Sequence, residues 1–428
     1  MRKLAALPAL ILAFLLGILA TVIVVLFTRE AQVRAVRTPA GAVAIADSGF
    51  LETAVHQTGL AWRDGNTVEV LFDGNATFPR LWGDLRGARS TITFQNFWMR
   101  KGGTADTLAS ILASRARDGV KVHLIYDAYG SNLPDTFYAA LRDAGVQVRE
   151  LRPIHPLALS KAQHRSHVRA VVIDGKVGYT GGFAIAPEWR GDGASPGEWR
   201  DTNVRLTGPV VNQLQAAFTA AWGEVAGALL AGPAYFGADR LPSASGAGAA
   251  LLYSPATVGS TTAERLIAMT INGARQKLYM TSAYFAPEDD LAAMLIEAAK
   301  RGVDVRVLTA GEHTDQAMVR LAGRHRYGAL LNAGVKVYEY APTMVHAKTF
   351  VADGTWSGIG TINLDNRSLA LNDEVMLVTP DPRIAATLEA AFLRDIGKSD
   401  VIEPEEFADR SRLARLKERF ASIFTRIL

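Results

Sequence analysis

The same series of short apolar segments runs through this chain twice, and no other feature restricts its fold as much. Ser90–Trp98 (STITFQNFW) is answered by Lys277–Phe285 (KLYMTSAYF), and Gly119–Asp127 (GVKVHLIYD) by Gly302–Ala310 (GVDVRVLTA). Ala144–Val148 is answered by Ala333–Val337, and His167–Gly175 (HVRAVVIDG) by His346–Gly354 (HAKTFVADG). The period, roughly 180 residues, is far longer than the ~20–50 residues of a solenoid repeat. Near-continuous apolar strands alternating with Leu- and Ala-rich helical stretches predict α/β units on mostly parallel sheets. One large α/β domain with ordinary strand–helix chemistry is the plainer reading, but four matches in one order favour two fused, similar domains. They are expected at residues 51–235 and 251–400, with the glycine-, alanine- and serine-rich stretch Gly232–Ala250 as connector.

Composition fits this division. The 428 residues, 49% hydrophobic and 21% charged, suffice for a large core and do not resemble a disordered chain. With no cysteine, disulfides and thiolate metal sites are excluded, and the redox compartment stays open. A net charge of +4 is too mild to argue for nucleic acid. Leu4–Phe27 is uncharged over 24 residues. As a helix it reaches about 36 Å, enough for a hydrocarbon core of ~30 Å. A single uncleaved membrane anchor is expected, with a cleaved signal peptide the lesser alternative. Basic residues flank it on both sides (Arg2 and Lys3; Arg29, Arg34 and Arg37), so its orientation stays open. Residues 28–50 read as a tether.

The fourth pair of segments carries the chemistry. His346, Lys348 and Asp353 form His-x-basic-x4-acidic, and His167, Arg169 and Asp174 repeat it. Random placement in a chain of this composition produces that pattern about 0.08 times, so a repeat at matched positions is not an accident of composition. In a strand, His346 and Lys348 share one face. An imidazole beside a cation suits a phosphate: the cation holds the charge while the imidazole attacks or moves a proton. Two surface histidines near salt bridges are the bland alternative.

The second copy resembles the phospholipase D superfamily motif in full: His346, Lys348 and Asp353, then Gly360-Thr361, Asn363, Asp365, Arg367-Ser368, Asn372 and Glu374. The run GTINLDNRSLALNDE is similar to bacterial cardiolipin synthases, as are Trp199-Arg200-Asp201 and Tyr284-Phe285 with Pro287. The likeness runs from about Val70 to Ile396. It implies two α/β/α halves whose motifs meet in one cleft near a pseudo-twofold axis, without metal or other cofactor. It implies a two-step reaction in which one histidine forms a phosphatidyl–histidine intermediate and the other moves protons. By this analogy His167 is the nucleophile and His346 the acid/base. Lys348, Arg169 and Asn363 would hold phosphoryl oxygens, while Asp174, Asp353, Asp201 and Glu374 would orient the imidazoles. The first copy departs from the pattern at Arg169 (usually lysine), Ala184 (usually asparagine) and Asn203 (usually histidine).

The resemblance implies a phosphatidyltransferase at the cell membrane that joins two phosphatidylglycerols and releases glycerol. Its rivals are a phospholipase D-type hydrolase, a membrane-tethered nuclease and a degenerate lipid-binding member. The anchor and the mild net charge favour lipid over nucleic acid as partner. At the C-terminus, residues 408–428 read as a basic amphipathic helix, with Leu413, Leu416, Phe420, Ile423 and Ile427 in one stripe. A bilayer surface and docking on its own domain explain this helix equally well. The loop between Trp189 and Trp199 is open to lipid contact or to simple packing.

Overall fold

The computed structural model describes residues 11–21, 42–154, 163–237, 246–257 and 260–425. After helix α1 (Gly49–Thr58), the first half runs β1 (Arg63–Phe72), α2 (Asp73–Arg86), β2 (Thr91–Asn96), α3 (Gly103–Arg117), β3 (Lys121–Asp127), α4 (Asp135–Asp143) and β4 (Gln147–Leu151). It continues through β5 (Ala170–Ile173), β6 (Val177–Gly181), β7 (Thr202–Thr207) and α5 (Val210–Ala226). The second half repeats this as β8 (Ala247–Ser254), α6 (Thr262–Gly273), β9 (Lys277–Ser282), α7 (Asp289–Lys300), β10 (Asp304–Ala310), α8 (Ala317–Asn332) and β11 (Lys336–Tyr340). Then come β12 (Lys348–Ala352), β13 (Trp356–Gly360), β14 (Asn372–Thr379), α9 (Pro382–Ile396), an edge strand β15 (Ser399–Val401) and α10 (Arg412–Ser422).

A single sheet passes through both halves in the order β15-β11-β10-β9-β12-β13-β14-β8-β1-β7-β6-β5-β2-β3-β4. Apart from β15, this order is its own mirror: each strand lies as far from the β8–β1 seam as its counterpart. At the seam, Arg63 faces Ala249 and Asn66 faces Ala247. The connector expected over Gly232–Ala250 therefore gives way to strand at Ala247. Its small residues serve packing there, since Ala249 and Ala250 are fully buried and a Cβ on Gly248 would press into the Trp62 ring.

Along this order, parallel neighbours occur only within β2–β3–β4 and β9–β10–β11. The other neighbours in this order are antiparallel, so the expectation of mostly parallel sheets is corrected. The reason lies in the connections. Crossover helices α3, α4, α7 and α8 permit parallel neighbours, whereas β5–β6 and β12–β13 are joined by short turns that force the chain straight back.

Helices cover both faces, making three layers. In the first half, Leu81, Ile111 and Leu141 from α2, α3 and α4 pack on Ile92 and Leu124. On the other face, Leu214, Phe218 and Trp222 of α5 join Leu388 of α9 over Val172, Leu206, Ile359 and Leu377. That cluster draws on both halves and ties them into one body. Helix α1 packs across the division read at residue 50. Phe50 and Ala54 are buried with Leu266 and Leu278 of the second half, and Phe50 meets Trp356 edge-on at 5.3 Å.

Most of the expected anchor, Leu4–Phe27, and of the 28–50 tether lies outside the described residues. Residues 11–21 are helical with exposed side chains. Among the described residues, no helix is long and apolar enough to cross a membrane.

Candidate active site

Each motif histidine sits just before a central strand, and its backbone is bonded to the opposite half. The His167 N–H donates to the Asp373 carbonyl at 3.0 Å, and the His346 N–H to the Arg200 carbonyl at 2.7 Å. In both cases the next residue is a buried carboxylate aimed back at the imidazole. Glu374 lies 3.0 Å from Nδ1 of His167, and Asp201 lies 3.3 Å from Nδ1 of His346. The pairs cross between halves, so neither half holds a complete histidine–carboxylate unit.

Both carboxylates are already acceptors for other donors. Asp201 takes the Trp189 indole N–H at 2.8 Å and the Thr202 N–H at 2.7 Å. Glu374 takes the Thr361 hydroxyl and, at 3.4 Å, the Asn372 amide. Each carboxylate holds its imidazole through Nδ1, which leaves Nε2 as the nitrogen for chemistry. The small pair after each motif serves this packing. A Cβ on Gly182 would collide with the Asp201 carboxylate, and Thr361 supplies the hydroxyl bonded to Glu374.

The two cations repeat one arrangement. Arg169 Nη1 donates to the His167 carbonyl at 2.8 Å, and Lys348 Nζ donates to the His346 carbonyl at 2.5 Å. Arg169 faces the Phe97 ring at 6.0 Å and Lys348 the Tyr284 ring at 5.8 Å. Both cations are fully buried, with opposite consequences at neutral pH. Burial pushes Lys348 down to about 7, against the pull of Asp201 and with Arg169 adding to the fall. Burial lowers Arg169 only to about 10, with Glu374 and Asp201 resisting, so the guanidinium keeps its charge. The departure from lysine thus sets a permanent cation beside Lys348.

Burial, then the neighbouring cations, hold His167 well below the usual histidine range. His346 is lowered by burial and Lys348 against the opposing pull of Asp201. Burial also pushes Glu374 up to about 7. Asp201 feels burial as well, but the His346 hydrogen bond and nearby charges outweigh it and hold it below the usual carboxylate range.

His167, His346, Arg169 and Asn363 line one cavity of about 350 Å³. Lys348, Asp201 and Glu374 sit behind the imidazoles. Asp174 and Asp353 are elsewhere, and their expected role as imidazole partners is corrected. Asp174 accepts the N–H groups of Arg89, Ser90 and Thr91, and Asp353 those of Arg275, Gln276 and Lys277. Each opens an Asp-Gly turn with both residues at positive φ (53° and 61°; 50° and 69°), a conformation aspartate and glycine tolerate. The motif aspartates are clamps that hold the β5–β6 and β12–β13 turns.

The family described as "Cardiolipin synthase, PLD-like domain" matches residues 267–396. Cardiolipin synthase A of Pseudomonas fluorescens SBW25 is 34% identical over 365 residues, 85% of this chain and 75% of that protein. Cardiolipin synthase of Geobacillus sp. WCH70 is 32% identical over 363 residues, 84% of this chain and 72% of that protein. This chain belongs to the cardiolipin synthase family of phospholipase D-like proteins. Its fold is also that of a solved phosphatidylserine synthase from Haemophilus influenzae Rd KW20, with TM-score 0.66 at 13% identity over 88% of this chain and 99% of that one. A polyphosphate kinase from Porphyromonas gingivalis matches with TM-score 0.55 at 12% identity, covering 83% and 52%.

Within this family site, several lining residues escaped the sequence reading. Trp189 and Trp199, left open between lipid contact and packing, stand beside His346 at 4.9 and 5.4 Å and wall the cavity. Phe97 stands edge-on to His167 at 5.3 Å, the place Tyr284 holds against His346 at 6.3 Å. The matched positions of Phe97 and Tyr284 in the two segments were the available signal for that pair. Arg165 and Arg367 also line the cavity, and only Arg367 falls within the motif. Of the departures, Asn203 is structural: it accepts the Phe183 N–H and donates to the Thr77 hydroxyl.

Proposed function

We propose that this protein is a phosphatidyltransferase that makes cardiolipin from two phosphatidylglycerols through a phosphohistidine intermediate. The observation that carries the reading is the crossed pair of buried imidazoles, each bonded through Nδ1 to a carboxylate of the other half, on one cavity of a cardiolipin synthase-family chain. In the first step, His167 Nε2 attacks phosphorus and the bond to the glycerol oxygen breaks. That oxygen takes the Nε2 proton of His346, which enters the cycle as an imidazolium beside ionised Asp201. In the second step, the glycerol hydroxyl of another phosphatidylglycerol gives its proton to His346 and attacks phosphorus. The phosphorus–nitrogen bond then breaks and His167 is regenerated.

The carboxylates favour this assignment over its reverse. Asp201, held low, stays ionised and stabilises an imidazolium at His346. Glu374, pushed up to about 7, suits a histidine that attacks in neutral form. Arg169, Lys348 and Asn363 would hold the phosphoryl oxygens, with most effect where charge builds up in the transition state. The uncharged run Leu4–Phe27 would keep the catalytic halves at the cell membrane as a single-pass anchor.

Incubating the purified full-length protein with phosphatidylglycerol and resolving the lipids tests the reaction. Cardiolipin with equimolar glycerol is expected. Phosphatidic acid as the dominant product would assign the site to hydrolysis instead. Retention of the protein in the membrane pellet after alkaline extraction tests the anchor.

A further inference from the structure

The C-terminal helix resolves the two readings left level by its sequence, because it does both things at once. Ser411 caps α10 by accepting the Ala414 N–H, and one face docks on α8. Ala421 is fully buried with Val319 and Ala322, and buried Glu418 pairs with Arg410 at 2.9 Å and Arg324 at 3.6 Å. Among the described residues, nothing covers the opposite face. Leu413, Leu416, Phe420 and Ile423 are 61%, 64%, 58% and 51% exposed.

At about 100° per residue these four side chains fall within an arc of roughly 80°, about 150° from Ala421 and Glu418. Exposed Lys417 flanks one side of the stripe, and exposed Arg412, Arg415 and Arg419 flank the other. A lone exposed leucine needs no explanation, but an apolar stripe bordered by charge marks an interaction surface. Its cationic border repels a second copy of the same helix and complements an anionic surface. Apolar centre and basic flanks on a short helix are what an interfacial helix needs to sit at the headgroup level of a bilayer.

The helix also has a fixed relation to the cavity. Ala421 packs against Val319, which lines the cavity, in a small cluster that Tyr284 also borders. We infer that α10 is an interfacial helix that lies in the surface of an anionic bilayer and seats the cavity mouth against it. The catalytic part of its test rests on the phosphatidyl-transfer reading above, whereas the binding part does not.

The chain contains no cysteine, so Leu416→Cys gives a single labelling site for an environment-sensitive fluorophore. The labelled full-length protein is reconstituted into phosphatidylglycerol vesicles and, separately, into phosphatidylcholine vesicles. A blue shift in the anionic vesicles, larger than in the zwitterionic ones and reduced by salt, is expected. No shift in anionic vesicles, or equal shifts in both, would overturn the inference. So would a shift without lipid that grows with protein concentration, because a second copy would then cover the stripe.

The second arm uses Leu416→Glu with Phe420→Glu. Turnover of bilayer phosphatidylglycerol should fall about tenfold or more, since two apolar side chains lose their burial. Turnover of a short-chain, monomeric phosphatidylglycerol should be unchanged. An equal fall on both substrates would make the helix a structural element only. If the unmodified protein turns over neither, the transfer reading fails, and the fluorophore still decides the membrane surface.

Discussion

His167 and Glu374 lie 207 residues apart in sequence, yet both carboxylate oxygens of Glu374 stand 3.0 Å from Nδ1 of His167. The reciprocal contact, Asp201 to His346, spans 145 residues. Because each imidazole is oriented by the other half, the duplicated fold becomes one catalytic unit, and damage to either half should disable both.

His167→Ala and His346→Ala should therefore each remove turnover. A nucleophile and a proton carrier that act as a unit are not additive, so the double variant should be no worse than either single one. Product formation from radiolabelled phosphatidylglycerol measures this. Near-normal turnover in either single variant would rule out the two-histidine mechanism.

Glu374→Gln and Asp201→Asn remove the charge but keep the shape, so they test orientation rather than packing. An amide can donate to Nδ1 as well as accept from it, which favours the wrong imidazole tautomer. A fall in kcat of about 100- to 10,000-fold is expected, with little change in KM. Circular dichroism and thermal melting should show an intact fold. A change confined to KM would mean that these carboxylates bind substrate instead of orienting the histidines.

Arg169→Ala should reduce kcat/KM by about 30- to 1000-fold, the loss typical when a charged donor to a phosphoryl oxygen is removed. Arg169→Lys should keep much of the activity near pH 6, where an ammonium is still charged. If alanine behaves like the unmodified protein, Arg169 marks a decayed half-site and the lipid-binding alternative gains.

Lys348 supplies the pH dependence. Its folded-state value near 7 lies below the ordinary 10.5, so the free site holds this cation below pH 7 and loses it above. Binding an anionic phosphodiester above pH 7 then requires uptake of a proton. KM should rise by up to about tenfold per pH unit between 7 and 9. Lys348→Arg keeps its charge across that range and should flatten the profile. A KM–pH curve identical in the two proteins would show that Lys348 does not hold the phosphate.

The amino-acid sequence by itself determined the duplication, the α/β class and the motif histidines with their cations, because all of these are written in local spacing. Strands show in runs such as Thr91–Asn96, and the His-x-basic pairs lie two residues apart whatever the fold. Local spacing could not reveal which carboxylate serves which imidazole. Asp174 and Asp353 each follow their histidine by seven residues, yet the turn geometry directs them to the N–H groups of 89–91 and 275–277. Asp201 and Glu374 reach the imidazoles only because β14, β8, β1 and β7 lie side by side across the seam between halves. The same holds for the sheet's pairing directions, which depend on what joins the strands, and for Trp189 and Trp199, which meet His346 only once the loop has folded over it. The C-terminal helix divides along the same line. Its periodicity alone set out the apolar stripe and its basic border. Only docking on α8 decided which face is buried, since Glu418 finds Arg324 and Ala421 finds Val319 through contacts a linear pattern does not contain.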